Sequence, residues 1–404
     1  MSDYAGPAFP EDCDPTLPGV PDPYPYYRRL RREDPVHWSR FANAWLLTRH
    51  ADASAYLQDR RFSRVGYLDA MRAKFGADQP IFKFQSEELA FLDGDKHTRL
   101  KNLVGKAFSP QRMAAMRPRI RAAVDARIDE LMPSHRMDVI HDYAYPLPAD
   151  VISAMIGVPE EDWPQLREWV DGIVLSRGLV RTAAMMAEGD RSARAFEAYL
   201  RKLIARRRAE PSQDLMSALI AAEEEGANLN EDQIVSMTET LFAAGHATTR
   251  SLIGLGMLAL LRNPRELAQL RANPALIEDA VEEMLRYDAP TQAPSPQVAI
   301  EDVAIGGKTI RKGQMVSVLI GAANRDPARF PDPDRFDLAR RDHDHLSFSL
   351  GPHYCLGASL ARAEAQIAIL ALVERLPNLK LIDAPLRYQK LGRFRGLESL
   401  PVEF

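Results

Sequence analysis

The chain has 404 residues, is 46% hydrophobic and 27% charged, and carries a formal net charge of −4. Length alone suggests two or three domains, and the slight acidity argues against nucleic-acid binding, which calls for a basic excess. No run of about 18 apolar residues is present to cross a membrane, no secretory signal opens the chain, and the two cysteines, Cys13 and Cys355, fit a reducing cytoplasm better than a disulfide framework.

Residues 1–25 hold seven prolines and no periodicity, which predicts an irregular leader running over the surface. From Ala51 to Arg375 helical spacing dominates. Helices are expected over Ile120–Met132, Ala149–Ile156, Ala193–Arg208 and Glu231–Arg262, where apolar residues recur every three to four positions. The last is long and apolar nearly all round, so it should run buried through the middle of the molecule. Another helix is expected over Ile277–Tyr287. Strand signals are few and short: Ala44–Thr48, Val298–Ile305, Gln314–Leu319 and Leu400–Phe404. Asp326–Arg341 is rich in Asp, Pro and Arg and has no period, yet it lies between confident elements. With no linker and no internal repeat, the pattern describes one mainly helical domain over 26–404 with a small β region, against the length-based expectation.

The most informative segment is Phe348-Ser349-Leu350-Gly351-Pro352-His353-Tyr354-Cys355-Leu356-Gly357, followed by the helix-forming run Ala358–Ala365. A cysteine there points its sulfur at backbone N–H groups and at the positive end of a helix, which favours the thiolate. Gly351 and Gly357 permit a tight turn and close approach of a flat group. The spacing F-x-x-G-x-H-x-C-x-G resembles the haem-binding loop of the cytochrome P-450 family, and the resemblance extends from about residue 20 to the end. It implies the P-450 fold, haem b as cofactor, and Cys355 as the axial ligand of its iron, with Phe348 in the same loop.

Further motifs carry the same resemblance. Glu283-Met284-Leu285-Arg286 matches the family's E-x-x-R helix, and Phe330–Phe336 its meander; together they imply a Glu283–Arg286–Arg335 network that braces the thiolate loop. Ala243-Ala244-Gly245-His246-Ala247-Thr248-Thr249 resembles the oxygen-binding segment A-G-x-[DE]-T-T. Gly245 leaves room beside the backbone, and the Thr248 hydroxyl can donate to iron-bound dioxygen. The relay acid of that pattern is Ala247 here. His246 is the neighbouring group that could stand in, although a histidine there is expected to pack away from the haem.

For the two propionates, His353, His97 and Lys101 match the family's binding positions. Lys101 replaces the usual arginine, and Gln297 stands where a second arginine is typical, so weaker anchoring is expected. The segments that line the distal pocket in relatives here supply Phe82, Phe84, Leu241, Ala244, Ala293 and Phe394, which suits an apolar small molecule.

The resemblance thus implies a cytoplasmic haem-thiolate monooxygenase. It would insert one oxygen atom into a hydrophobic molecule, with electrons from a ferredoxin or flavodoxin and its reductase, since no G-x-G-x-x-G fingerprint is present. Ala247 keeps open a peroxide-driven or nitric-oxide-reducing enzyme, and a haem-based binding or sensing protein is the non-enzymatic alternative.

Overall fold

The computed structural model describes residues 20–76, 80–105, 108–176, 182–224, 229–389 and 393–404. Most of the expected leader, Cys13 included, lies outside these residues. Its last part is already regular: Tyr24–Glu33 is a helix whose first turn carries a proline, where the missing N–H costs nothing.

Helices make up most of the molecule, and the sequence-based spans recover their existence better than their ends. The stretch expected over Ile120–Met132 is part of Pro110–Leu131, that over Ala149–Ile156 begins at Pro146, and that over Ala193–Arg208 is the long helix Ala183–Ala209. The central helix spans Glu231–Arg262 as expected. Asn230 and Gln233 close a reciprocal capping box at its start, which satisfies two orphan donors. Pro264 opens the next helix and bars continuation. The central helix packs against Pro146–Ile156, Trp163–Leu175, Ile277–Tyr287 and Ala358–Arg375. The largest hydrophobic cluster gathers around it, drawing side chains from Tyr67 to Val402.

Among the described residues, ten short strands form the β regions: β1 (Val36–Ser39), β2 (Ala44–Leu47), β3 (Phe62–Ser63), β4 (Arg136–Asp138), β5 (Gln297–Ala299), β6 (Val303–Ile305), β7 (Lys308–Ile310), β8 (Met315–Val318), β9 (Lys380–Leu381) and β10 (Pro401–Glu403). The main sheet has the order β1-β2-β8-β5-β3, with β2 and β8 parallel and the other pairs antiparallel. The single strand expected over Val298–Ile305 is two strands in different sheets. β5 pairs with β3 and β8, whereas β6 folds onto β7 through Gly306 and Gly307, both at positive φ. Periodicity could not see that break, because the residues on both sides suit a strand.

The aperiodic Asp326–Arg341 segment contains no helix or strand. Its order comes from side chains: the Arg325 guanidinium sits 3.5 Å from the Tyr24 ring centre and 3.9 Å from that of Tyr287. Arg329 pairs with both Asp342 and Asp344. Among the described residues, no helix is long and apolar enough to cross a membrane.

Candidate active site

A cavity of about 340 Å³ opens between the central helix and the loop before Ala358–Arg375. The central helix is buried along most of its length, yet Ala244 is exposed and Gly245 and Thr248 partly so, because they face this space. A Cβ built on Gly245 or on Gly357 meets no atom within 4 Å, so both glycines border open volume. The Thr248 hydroxyl lines the cavity and donates to the Ala244 carbonyl at 2.6 Å, a back-bond within its own helix.

Opposite lies the cysteine loop. Ser349 and Gly351 both have positive φ, and a Cβ on Gly351 would stand 3.0 Å from the Leu57 carbonyl oxygen, so glycine is required there. This turn folds the Cys355 N–H back onto the Phe348 carbonyl at 2.9 Å. Cys355 has accessible surface, but that surface faces the cavity. Burial pushes its thiol up, while the Gly357 N–H, Arg362 and Lys101 pull it down without overcoming burial. The thiolate expected from the helix terminus therefore needs a cation opposite the sulfur. The Phe348 ring is buried beneath the Arg362 guanidinium, 4.4 Å from its centre.

The polar rim is partly as expected. His97 and His353 both line the cavity, their ring centres 4.2 Å apart. Burial, then His353 and Lys101, lower His97 to about 4. Burial also lowers His353, which lies 3.8 Å from Asp93. Lys101 lines the cavity too, but its ammonium is held by the carbonyls of Pro352 and of Tyr354, the latter at 3.1 Å. It thus ties down the cysteine loop instead of standing free for a carboxylate. Two charged lining residues escaped the sequence reading. Arg64 begins a helix after β3 and no motif marked it. Glu364 is buried on Ala358–Arg375, where burial pushes its carboxyl well up and the Thr249 hydroxyl bonds it.

His246 faces away from the cavity, as a packing residue would. Neither ring nitrogen has a hydrogen-bond partner; the ring packs edge-on to Tyr145 at 4.9 Å, and Nε2 is 3.8 Å from Asp171. Ala247 is buried in the helical core.

Of the apolar pocket residues, Leu241, Ala244 and Phe394 line the cavity. Phe82 does not: it is fully buried in the main core. Ala293 is likewise removed, packed with Tyr24, Tyr27 and Leu46. The Phe84 side chain lies outside the described part of the structure. Arginine numbering in the brace also needs correction. Glu283 accepts both Nε and Nη2 of Arg286, at 2.7 and 2.8 Å. The second arginine, however, is Arg340, 3.2 Å from Glu283 and 9% exposed. The Arg335 side chain is 53% exposed and pairs with Asp337 at 3.6 Å, leaving only its backbone carbonyl to accept from Arg286. The meander turns back on itself, so chain order alone could not tell which arginine points inward.

A helical fold with a cysteine loop and a glycine gap lining one cavity suits a haem-thiolate protein, and comparison with known proteins agrees. The chain belongs to the cytochrome P450 family, whose model matches residues 66–380. It is 41% identical to the biotin biosynthesis cytochrome P450 of Bacillus subtilis, over 95% of this chain and 96% of that protein. It is 38% identical to the cytochrome P450 monooxygenase PikC of Streptomyces venezuelae, over 95% and 91% of the two chains. Among solved structures, P450BioI in complex with a hexadec-9Z-enoic acid-ligated acyl carrier protein superposes with a TM-score of 0.90, covering 95% of this chain and 98% of that one.

The family's cofactor is haem b, and the residues present fit it. Among the described residues no three His, Cys, Asp or Glu side chains cluster to hold a bare metal ion. A single sulfur donor, which Cys355 could supply, would suffice to hold an iron whose remaining protein ligands a macrocycle replaces. Gly245 and Gly357 leave space on either side, and basic side chains stand at the rim.

Proposed function

We propose that this chain is a cytoplasmic monooxygenase that inserts one oxygen atom from dioxygen into a long-chain acyl or similarly apolar substrate. Electrons would come from a separate ferredoxin or flavodoxin with its reductase. The observation that carries this reading is that Cys355 and Thr248 line one mostly apolar cavity. Haem, when bound, supplies the iron at which dioxygen is reduced, and a thiolate donor favours O–O cleavage.

The chain's own residues do the rest. Cys355 would hold the iron through sulfur, steadied by the Gly357 N–H. Leu241, Ala244 and Phe394 offer dispersion contacts to an apolar chain and exclude water. Thr248 would hold a proton at its Oγ1 next to the reacting oxygen. The acyl substrate class is suggested by the fatty-acyl carrier complex of the solved relative. The presence of Ala247 supports a second reading, a peroxide-driven enzyme that needs no relay acid.

The test uses the holoenzyme. Fatty acids, free and loaded on acyl carrier protein, are titrated for a Soret shift, and turnover is compared between a reconstituted ferredoxin chain and hydrogen peroxide. Ferredoxin-supported product that is lost on C355A, together with the red-shifted ferrous carbonyl band, is the expected result. Efficient turnover with peroxide alone would establish the second reading, and a carbonyl band retained in C355A would overturn both.

A further inference from the structure

β3 and β5 pair antiparallel, with Phe62 opposite Ala299 and Ser63 opposite Val298. The strand ends at Ser63, and Arg64 opens the helix Arg64–Phe75, which packs against β5, the strand that carries Gln297. The Arg64 side chain thus lies beside the strand that bears Gln297, on the side that faces the cavity.

The two side chains at this point are unusual. Arg64 is 6% exposed and lines the cavity. Its Nε is buried without a hydrogen-bond partner, and Nη1 reaches only the Ser295 carbonyl at 3.5 Å, beyond normal hydrogen-bond length. Gln297 is also buried, and its Oε1 is equally without a partner, so the amide does not satisfy the guanidinium. Asp93 is close, but its Oδ2 is taken by the Ser63 hydroxyl and the backbone N–H groups of Arg64 and Val65 at 2.8–3.1 Å. Around Arg64 stand His97 and His353, both of which feel its charge. A buried guanidinium with open donors is costly unless an anion meets it. These basic groups share a cavity wall with more donors than carboxylates.

We propose, resting on the haem-thiolate reading of Cys355, that Arg64 receives a carboxylate of the cofactor, supplying from the helix beside β5 the charge that Gln297 on β5 does not. Anchoring of the propionates is then moved from a strand to the start of the helix packed beside it, and the loss of charge at 297 is made good. Arg64 gives the planar two-donor geometry that Lys101, tied to loop carbonyls, does not.

The test compares purified holoenzymes of the parent chain, R64Q, R64K and R64Q/Q297R. Two readouts are taken: the rate of haem transfer to apomyoglobin and the propionate-bending bands in resonance Raman spectra. R64Q should lose haem at least about tenfold faster, as expected for a lost charge-assisted hydrogen bond. Its propionate band should shift, R64K should fall between, and adding Q297R should restore both readouts. Unchanged transfer, or faster transfer with an unshifted band, would overturn the proposal, the latter by showing that Arg64 only supports the fold. Failure of Q297R to restore R64Q would overturn the shared placement. A fatty acid and its methyl ester are titrated as well. An unshifted band with lost preference for the acid would assign Arg64 to the substrate's carboxylate instead, again overturning it. If R64Q retains no cofactor, R64K carries the same comparison. Absence of the thiolate carbonyl band in the parent would instead strike the underlying haem-thiolate reading.

Discussion

At the scale of single residues, function turns on which atoms face the cavity. Thr248 is the one hydroxyl in the Gly245–Thr248 segment, and its Oγ1 is bonded only to a carbonyl of its own helix. Its lone pairs are thus available on the cavity side. T248A should leave the fold and haem content unchanged, because the lost bond is local. Reducing equivalents should then appear as hydrogen peroxide instead of product, read as the ratio of product to NADH consumed. An unchanged ratio would mean protons arrive by another path, for which Glu364, which lines the cavity and is bonded to Thr249, is the candidate carboxyl. The brace behind the loop gives a second residue-scale prediction. R340A should cost about 2 kcal/mol, since it strips one cation from a buried carboxylate that Arg286 still holds. R335A should stay within about 0.5 kcal/mol, as expected for an exposed side chain. Denaturant midpoints of the two variants decide between them, and equal costs would restore Arg335 to the network.

At the scale of elements, the central helix serves both packing and chemistry. Glycine inside a helix is unfavourable, so each one should have a reason. For Gly254 the reason is packing: a Cβ there would lie 2.3 Å from Ile140 Cδ1. For Gly245 no neighbour is close, and the reason is the open volume. G245A should therefore raise stability by about 0.5–1 kcal/mol while weakening binding of bulky ligands in the cavity. A fall in Tm would show that the position is packed after all. The proximal elements are joined by charge. Glu282 on Ile277–Tyr287 accepts both nitrogens of Arg362 at 2.7 Å and meets His345 at 3.2 Å. Burial pushes the Glu282 carboxyl up, but Arg362 and His345 outweigh it and bring it to about 2.

At the scale of the whole molecule, that shift sets an acid limit. A carboxyl depressed in the folded state adds stability above its unfolded value near 4.5, and the gain is lost as pH falls toward 2. For Glu282 the contribution is roughly 3 kcal/mol. The parent should lose stability steeply between about pH 5 and about pH 2.5, and E282Q should lose it with a shallower slope. Identical slopes would show that other carboxylates govern acid unfolding. Asp93 acts in the same sense: burial pushes it up, and His353, Val65, Ser63 and Arg64 bring it to about 2.

Much of this was readable along the chain. The span of the central helix, the identity of the cysteine loop and the small β content follow from local pattern: apolar period, cap residues and glycine spacing act within a few residues. The positions of Gly245, Thr248, His97, His353 and Cys355 on one cavity follow from the same patterns once the family resemblance is recognised. Other features depend on chain segments far apart in sequence. Phe82 and Ala293 look like pocket residues by position, yet they are core because neighbouring elements cover them. Arg340 displaces Arg335 because the meander turns, and a turn without periodicity leaves no mark on side-chain direction. Arg64 stands beside His97 and His353 because Asp93 accepts from the backbone at the start of the Arg64 helix, lies one turn before His97, and comes within 3.8 Å of His353 far along the chain. Local propensity decides which elements form and which residues are chemically able; tertiary packing alone decides which of them share the cavity, because burial and register are properties of pairs.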